Sequence, residues 1–290
     1  MMKRFLFLSV FLVTLSSSYC VVGQSFYSYR SERDLILTAG FNTSTYYGDL
    51  KDNSDYLDAK PSISLGAMYY FYPRIAARAE FSWVTFSGDD ADSKDSGKIR
   101  RNLSFKSSNI EFSTTAVINL IPTLPNRRFY QRPKYNAYGF VGIGGLYFNP
   151  KAELDGTKYN LKPLQTEGVN YSRFTFIIPY GIGGRLQIDP FFNIAVEMGW
   201  RKTFSDYIDD VSTKYIDHSA SDPITQQLAD RRPEIGLPPL PVGAKRGDPS
   251  KKDAYMLLSV KVEYYLPFKV GLNQRKLYNT KRKSYYKRRR

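Results

Sequence analysis

The sequence predicts an all-β protein, an eight-stranded antiparallel transmembrane β-barrel with long extracellular loops and short periplasmic turns. Three observations lead to this fold class. Apolar and polar residues alternate with a period of two through eight segments, which is the pattern of strands with one buried face. The connections between these segments are alternately long and short, and aromatic residues gather where the segments end.

The composition excludes several other classes of protein. The chain has 24 Tyr and 19 Phe among its 290 residues, which is too much apolar material for a disordered chain. Beyond the N-terminus, no apolar run reaches the roughly 18 residues that a spanning helix needs. With 1 Cys and 1 His, a disulfide framework and a zinc site are both excluded.

The N-terminus has the pattern of a secretory signal peptide. Two basic residues precede an apolar stretch over 5–15, which is too short to cross a membrane as a helix. We predict a signal peptide over 1–23, with cleavage before Gln24. Lipidation of Cys20 is the alternative, and the bulky tyrosine directly before it disfavours that reading. With the first cleavage site, the mature chain has no cysteine, as suits an exported protein.

The predicted strands follow one another from residue 35 to residue 268. They occupy roughly 35–41, 62–71, 75–83, 109–120, 135–148, 174–188, 193–201 and 254–268. The fifth is apolar on both faces and rich in glycine. The glycine runs at 142–145 and 181–184 resemble phosphate-binding loops only superficially, because both lie within strand patterns and no helix follows. We interpret them as sites of close packing in a curved strand.

The connections set the orientation of the predicted barrel. They run over roughly 48–61, 73–74, 87–106, 121–134, 149–172, 189–191 and 205–253. The odd-numbered connections are long and polar, as outer-membrane barrels have on their external side. An even number of strands then leaves both termini in the periplasm. We therefore predict a barrel domain over 24–268, located in the cell outer membrane.

Aromatic residues are predicted to form two interfacial belts, because their rings suit the boundary between membrane and water. The belt near the long loops comprises Tyr46, Tyr47, Trp83, Phe86, Tyr147, Phe148, Trp200 and Phe204. The belt near the short turns comprises Tyr69, Phe71, Tyr72, Tyr135, Phe191, Phe192, Tyr264 and Phe268.

The alternation also assigns charged residues to the barrel interior. Four cations and four anions are predicted to face inward: Arg78, Glu80, Glu111, Arg185, Glu197, Arg201, Lys261 and Glu263. The interior of an eight-stranded barrel is narrow enough for side chains to fill it. Buried charges are tolerated when they are paired, and equal numbers permit pairing. The pattern predicts a closed ionic core that stabilises the barrel and has no catalytic role.

No catalytic, cofactor-binding or metal-binding residue is predicted with this fold. His218 lies in a long polar connection, and we interpret it as a solvated histidine because no triad geometry is indicated around it. Asp206, Asp209 and Asp210 follow the seventh strand. A turn cap is the favoured reading, and calcium binding through their oxygen atoms is the alternative.

The C-terminal segment 269–290 is strongly basic. It contains ten Lys and Arg and no acidic residue. It therefore contributes +10 to the net charge of +15 that the whole chain carries. We predict a periplasmic arm that binds an anionic partner through Lys281, Arg282, Lys283, Lys287, Arg288, Arg289 and Arg290. Nucleic acid is disfavoured as that partner because the chain is exported. A solvated, disordered tail is the alternative.

Two segments resemble a known family. The first strand closes on STYYGDL (44–50), and the seventh leaves through RKTFSDYIDDVSTKY (201–215). Together with the glycine-rich strands, they resemble the PorG family of outer-membrane β-barrels found in Bacteroidetes. The basic arm departs from the family pattern.

The resemblance implies a structural subunit of the type IX protein secretion machinery, which also supports gliding motility in many bacteria. The expected partners are outer-membrane lipids and the periplasmic ring built from the lipoprotein PorK and its partner PorN. No cofactor and no small-molecule substrate are implied. The alternative is a small outer-membrane transport or surface-binding barrel unrelated to secretion; a hydrolase is disfavoured by the lack of a usable histidine.

Overall fold

The computed structural model describes residues 35–51, 59–123 and 132–266. The predicted signal peptide over 1–23 and the predicted basic arm over 269–290 lie outside the described residues. So do the last two positions of the eighth predicted strand. The signal peptide and the basic arm therefore remain predictions.

Eight strands form the barrel, and two short strands form a hairpin beside it. In chain order they are β1 (Leu35–Tyr47), β2 (Lys60–Tyr70), β3 (Ile75–Asp89), β4 (Ser104–Asn119), β5 (Tyr135–Tyr147), β6 (Pro150–Leu154), β7 (Thr157–Asn160), β8 (Phe174–Gln187), β9 (Phe192–Thr203) and β10 (Ala254–Tyr265). Each barrel strand pairs antiparallel with its neighbours, and β10 closes the barrel against β1. The predicted eight-stranded antiparallel barrel is confirmed.

The structure adds residues to the strands at the long-loop end. β3 continues to Asp89 and β4 begins at Ser104, and these two residues pair with each other. The sequence pattern ended β3 before the Asp-rich stretch over 88–97, because glycine and aspartate are poor strand formers. The β6–β7 hairpin was also missed, since it lies within the connection predicted over 149–172. β6 pairs with residues 106–107, near the start of β4.

The outward face of the barrel is apolar all the way round. Every barrel strand exposes at least one large apolar side chain: Phe41, Leu65, Phe81, Phe112, Ile143, Ile182, Val196 and Val260. An exposed apolar band of this extent is the surface that lipid covers in transmembrane barrels. The strands have 11 to 16 residues, more than the roughly 9–11 that a tilted strand needs to cross a bilayer.

The helices all lie in the long connections. They are α1 (Ser96–Arg101), α2 (Leu161–Leu164) and α3 (Pro223–Ala229), with 3-10 turns at Asp90–Asp92 and Arg232–Ile235. Asp95 and Asp222 cap the first and third helices by accepting backbone N–H groups. Among the residues described, no helix is long and apolar enough to cross a membrane.

The glycines of β5 allow it to approach β4 closely. A Cβ atom on Gly142 would lie 2.0 Å from the carbonyl oxygen of Thr114 and 2.7 Å from the Cα of Thr115. By contrast, a Cβ atom on Gly184 of β8 would meet nothing within 4 Å. Both glycines lie inside strands, as predicted, so packing explains Gly142 without a bound phosphate.

Gly142→Ala is expected to destabilise the barrel by about 1–3 kcal/mol, because the added methyl group collides with backbone atoms that cannot move independently. Gly184→Ala is the matched control, with an expected change of less than about 0.5 kcal/mol. Urea unfolding in lipid vesicles measures both. Equal unfolding midpoints for the two variants would show that close packing at Gly142 is unimportant.

Candidate functional site

The eight predicted lumen residues all lie inside the barrel, and each is at most 7% exposed. Five of the barrel strands contribute them: β3, β4, β8, β9 and β10. The alternation of strand side chains brings them to the inner face, where the barrel closure sets cations opposite anions.

The centre of this network contains two cations and two anions. Lys261 Nζ lies 2.5 Å from Glu80 Oε2 and 2.9 Å from Glu197 Oε2. Arg78 pairs with Glu197, and its Nε lies 3.7 Å from Glu80 Oε2. The Tyr138 hydroxyl donates a further hydrogen bond to Glu197 at 2.6 Å. Each carboxylate therefore contacts both cations, which offsets the cost of burying the charges.

Two further ion pairs flank the centre along the barrel axis. Toward the short turns, Arg185 Nε lies 2.6 Å from Glu263 Oε2. Toward the long loops, Arg201 Nε lies 3.5 Å from Glu111 Oε1. The first pair joins β8 to β10, and the second joins β9 to β4. Together with the central group, these pairs place charged side chains at three levels along the lumen.

Buried tyrosines complete the network, although they were not among the residues predicted to face the lumen. Tyr70 accepts a hydrogen bond from Arg185, Tyr255 donates to Glu111 at 2.8 Å, and Tyr265 accepts from Asn193. The signal was present, because the alternation that turns Lys261 inward also turns Tyr255 and Tyr265 inward. Their hydroxyl groups form hydrogen bonds with buried charged and amide side chains.

The long connections fold together over one end of the barrel. We call this region the loop cap and define it as residues 48–51, 90–103, 148–173 and 204–253. Its apolar core includes Leu50, Leu103, Phe148, Leu161, Tyr171, Ile208, Val211 and Leu228. The connections that were predicted to be long and polar therefore also bury an apolar core of their own.

The loop cap also changes the assignment of the aromatic belt at this end. Tyr46, Phe86 and Phe148 were predicted to lie at the membrane interface, but each is at most 1% exposed. Their side chains face inward, and the loop cap covers the barrel mouth above them. Trp83 and Phe204 do face outward, with 59% and 57% of their surface exposed.

The two segments that carry the family resemblance meet within the loop cap. The Leu50 amide donates to Asp209 Oδ2 at 3.1 Å, joining 44–50 to 201–215. Asp253 binds both segments, because it accepts from the Tyr46 hydroxyl at 2.5 Å and from the Ile208 amide at 2.9 Å. These hydrogen bonds connect the loop cap to the end of β1.

Arg246 joins two of the long connections. Its Nη1 lies 3.0 Å from Glu167 Oε1 and donates to the Asp210 carbonyl at 2.6 Å. Glu167 also accepts from the Ser212 and Thr213 amides at 3.0 and 2.8 Å. These groups are almost fully buried, so Arg246 compensates carboxylate charge that water cannot reach.

Arg101, at the end of α1, joins three connections. Its guanidinium lies 2.7 Å from both carboxylate oxygens of Asp90. It also donates to the carbonyl of Asp49 at 2.9 Å and to that of Arg246 at 2.5 Å. The guanidinium has several donors in a rigid plane, which suits it to this role.

The aspartates after the seventh barrel strand are structural groups. Asp209 Oδ1 accepts from the Val211 amide at 3.0 Å, which is the predicted turn cap. Asp206 accepts from the Ser212 hydroxyl at 2.6 Å, and Asp210 from Tyr171 at 2.6 Å. Over 35–51, 59–123 and 132–266, no group of three or more His, Cys, Asp or Glu is placed to hold a metal ion. The calcium alternative has no ligand set there.

His218 is not the solvated residue that was predicted. Its Nε2 lies 2.9 Å from the carbonyl oxygen of Thr166, and its Nδ1 lies 3.2 Å from Ser221 Oγ. A carbonyl oxygen only accepts, so Nε2 carries the proton in this arrangement. The half-buried ring therefore connects two long loops through its contact with Thr166.

Burial shifts the acidity of the loop-cap carboxyls. Desolvation raises the pKa of Asp209 to about 8, with the nearby Asp49 charge as a second cause. The Val211 amide and Arg101 oppose this rise. Desolvation likewise raises the pKa of Asp206 to about 6 and that of Asp253 well above its usual range. The folded loop cap therefore binds protons more tightly than the unfolded chain does.

The loop cap is expected to lose stability as pH rises. A carboxyl with a raised folded-state pKa contributes stability below its unfolded pKa of about 4, and this is lost as pH rises toward 8. The slope is at most about 1.4 kcal/mol per pH unit for one group. Hydrogen exchange over 204–215, corrected for intrinsic rates, should show falling protection between pH 5 and 8.5.

Asp209→Asn should flatten this pH dependence, because the amide does not titrate. Asp217→Asn is the control, since Asp217 is fully exposed. A slope that is the same in wild type and Asp209→Asn would assign the pH dependence to other groups.

A closed barrel with an apolar outer face, an ion-paired lumen and a folded loop cap defines a small transmembrane-type β-barrel. The chain belongs to the DUF6089 family, described as a domain of unknown function, whose model matches residues 20–220. Comparison with curated proteins gives no match.

Solved structures similar to the chain are outer-membrane barrels of low sequence identity. Ail, the attachment invasion locus protein of Yersinia pestis, has 13% identity and a TM-score of 0.39, covering 81% of this chain and 99% of that one. OprG from Pseudomonas aeruginosa has 11% identity and a TM-score of 0.41, covering 81% and 96%. Neisserial surface protein A has 9% identity and a TM-score of 0.38, covering 80% and 97%. The fold assignment itself rests on the strand pairing.

Proposed function

We propose that this chain is a structural outer-membrane subunit of the type IX protein secretion and gliding machinery, anchoring a periplasmic ring of PorK and PorN type. The observation that carries the proposal is the double closure of the barrel. Ion pairs fill the lumen and the loop cap covers its mouth. A barrel closed in both ways is suited to anchoring, and its two ends remain for binding partners.

The proposed orientation places the loop cap outside the cell and the short turns in the periplasm. Long external loops and short periplasmic turns are the rule for bacterial barrels. β1 begins and β10 ends at the short-turn end, because Ile36 pairs with Tyr265 there. Both termini then belong to the periplasmic side, where a lipoprotein ring would lie.

The basic arm is the proposed contact with the ring. It contains ten cations and no acidic residue, whereas residues 24–268 carry a net charge of only +3. A concentrated charge of this kind attracts an acidic protein surface or anionic headgroups. The resemblance of 44–50 and 201–215 to PorG supports the assignment to this machinery, since the two segments form one joined element.

Cross-linking and affinity recovery from native membranes test the proposal. The full chain is expected to recover ring lipoproteins, and a variant that ends at residue 268 is expected to lose most of them. A variant whose arm keeps its length, with Gln in place of the ten Lys and Arg, separates charge from length. Failure of the full chain to recover any ring protein would overturn the ring-anchoring role.

A transport barrel is the second candidate, and conductance separates the two. We expect no stable single-channel conductance from the purified chain in planar bilayers, because the lumen contains three levels of ion pairs. Large, stable conductance steps would favour transport. The proposed role includes no catalytic step, cofactor, nucleic acid or small-molecule substrate.

A further inference from the structure

A cleft of about 620 Å³ opens in the loop cap. The residues that line it belong to the ranges 47–51, 95–101 and 232–254. It lies at the long-loop end of the barrel, because it includes Tyr47 and Ala254, the paired last and first residues of β1 and β10. Its volume falls in the range of roughly 300–1,000 Å³ that is typical of small-ligand sites. We call it the cationic cleft.

The cationic cleft has a strong excess of positive charge. Eight Lys and Arg side chains line it, against three Asp. A second cavity, at the edge of the loop cap and of about 530 Å³, is lined by four Lys against two Asp and one Glu. The excess is therefore a property of one cavity and not of the loop cap as a whole.

The back wall of the cationic cleft is rigid. Arg101 and Arg246 contribute to it, and each is already held by a buried carboxylate, Asp90 and Glu167 respectively. The Asp248 amide donates to Asp49 Oδ2 at 2.7 Å and so fixes the rim to the first loop. A ligand that enters meets a wall already in place, which lowers the entropic cost of binding.

The lysines of the rim are poorly compensated. Lys245 and Lys251 both reach Asp248 Oδ2, at 3.7 and 4.0 Å, with side chains 71% and 80% exposed. One carboxylate thus serves two ammonium groups, and exposed pairs of this kind contribute little. Lys252 lies beside them on the same rim. The three lysines line the same cleft and contribute to its excess of positive charge.

We propose that the cationic cleft binds a ligand bearing two or more phosphate groups, in the form of a phosphorylated glycolipid headgroup or a soluble phosphate ester. Lysine ammonium groups are mobile point-charge donors and suit phosphate oxygens. The cationic cleft lies at the long-loop end of a transmembrane barrel, so outer-leaflet headgroups and soluble esters are the two sources of phosphate to be distinguished. A concave site of this volume fits a small polyanion better than it fits a flat acidic protein surface. The inference is independent of any ring partner.

Titration calorimetry with inorganic pyrophosphate tests the binding chemistry on the full chain in detergent. The cleft variant is Lys245→Gln/Lys251→Gln/Lys252→Gln. The control is Lys106→Gln/Lys151→Gln/Lys158→Gln, which removes the same charge from exposed lysines at the second cavity. A heat-dependent shift in gel mobility confirms that each variant is folded.

We expect pyrophosphate affinity to fall at least tenfold in the cleft variant and to change less than twofold in the control. Equal losses in both variants would show that only general surface charge attracts the anion. Absence of binding to the wild-type chain would also overturn the proposal.

Nanodiscs identify the source of the phosphate groups. Phosphatidylethanolamine discs are compared with discs that also contain lipid A, and pyrophosphate affinity is measured in both. Competition by lipid A supports the glycolipid headgroup, and unchanged affinity supports a soluble phosphate ester. Polyglutamate that displaces pyrophosphate more strongly than lipid A does would overturn the proposal in favour of an acidic protein.

Discussion

Lys261→Met is expected to lower the free energy of unfolding of the barrel by about 3–5 kcal/mol, because it removes a buried cation that two carboxylates share. The Lys261 ammonium lies 2.5 Å from Glu80 and 2.9 Å from Glu197, and it is 1% exposed. Without it, Arg78 alone faces two buried carboxylates. Urea unfolding of the chain in lipid vesicles measures the loss as a change in the free energy of unfolding.

A double-mutant cycle distinguishes lost pairing from lost packing. Glu80→Gln in the Lys261→Met background restores one cation to one anion at the centre of the network, so part of the stability should return. Lys202→Met, at an exposed position of β9, is the control with less than about 0.5 kcal/mol of expected change. Strictly additive losses in the double variant would mean that Lys261 and Glu80 do not interact energetically.

Arg246→Met is expected to open the loop cap while the barrel stays folded. Glu167 and Asp210 would lose their buried cationic neighbour, at a cost of about 3–5 kcal/mol. The loss of stability is expected in the long connections, because the described polar contacts of the Arg246 side chain are with Glu167 and Asp210, which both lie there. Limited proteolysis should therefore cut within 204–253 much faster, while heat-dependent gel mobility still reports a folded barrel.

The adjacent residue provides the control for this variant. Lys245→Met removes a cation whose side chain is 71% exposed and whose contact with Asp248 is 3.7 Å long. Proteolysis over 204–253 should hardly change in it. If Arg246→Met resists protease as well as Lys245→Met does, the buried ion pair is not what holds the loop cap closed.

Strand periodicity is a local property, and the sequence therefore predicted much of the lumen. Side chains alternate between the two faces of a strand whatever its neighbours are. Once one face of β3 was read as apolar, Arg78 and Glu80 had to point the other way. Equal numbers of inward cations and anions then indicated pairing, but not which groups pair.

Which charges meet was decided by the closure of the barrel. Lys261 and Glu80 are 181 residues apart in the chain, and Arg185 and Glu263 are 78 apart. Their contact depends on the stagger between strands that are distant in sequence, which no local pattern records. The tyrosines that satisfy the remaining polar atoms follow from the same geometry.

The sequence by itself determined the number of barrel strands, the inward and outward faces, and the contrast between long and short connections. Only the tertiary structure decided that the long connections form a loop cap, with Tyr46 and Phe148 buried beneath it and a cationic cleft at its edge. The physical reason is that irregular loops have no periodicity to read. Their burial comes from contacts such as Tyr46 with Asp253, across 207 residues of chain.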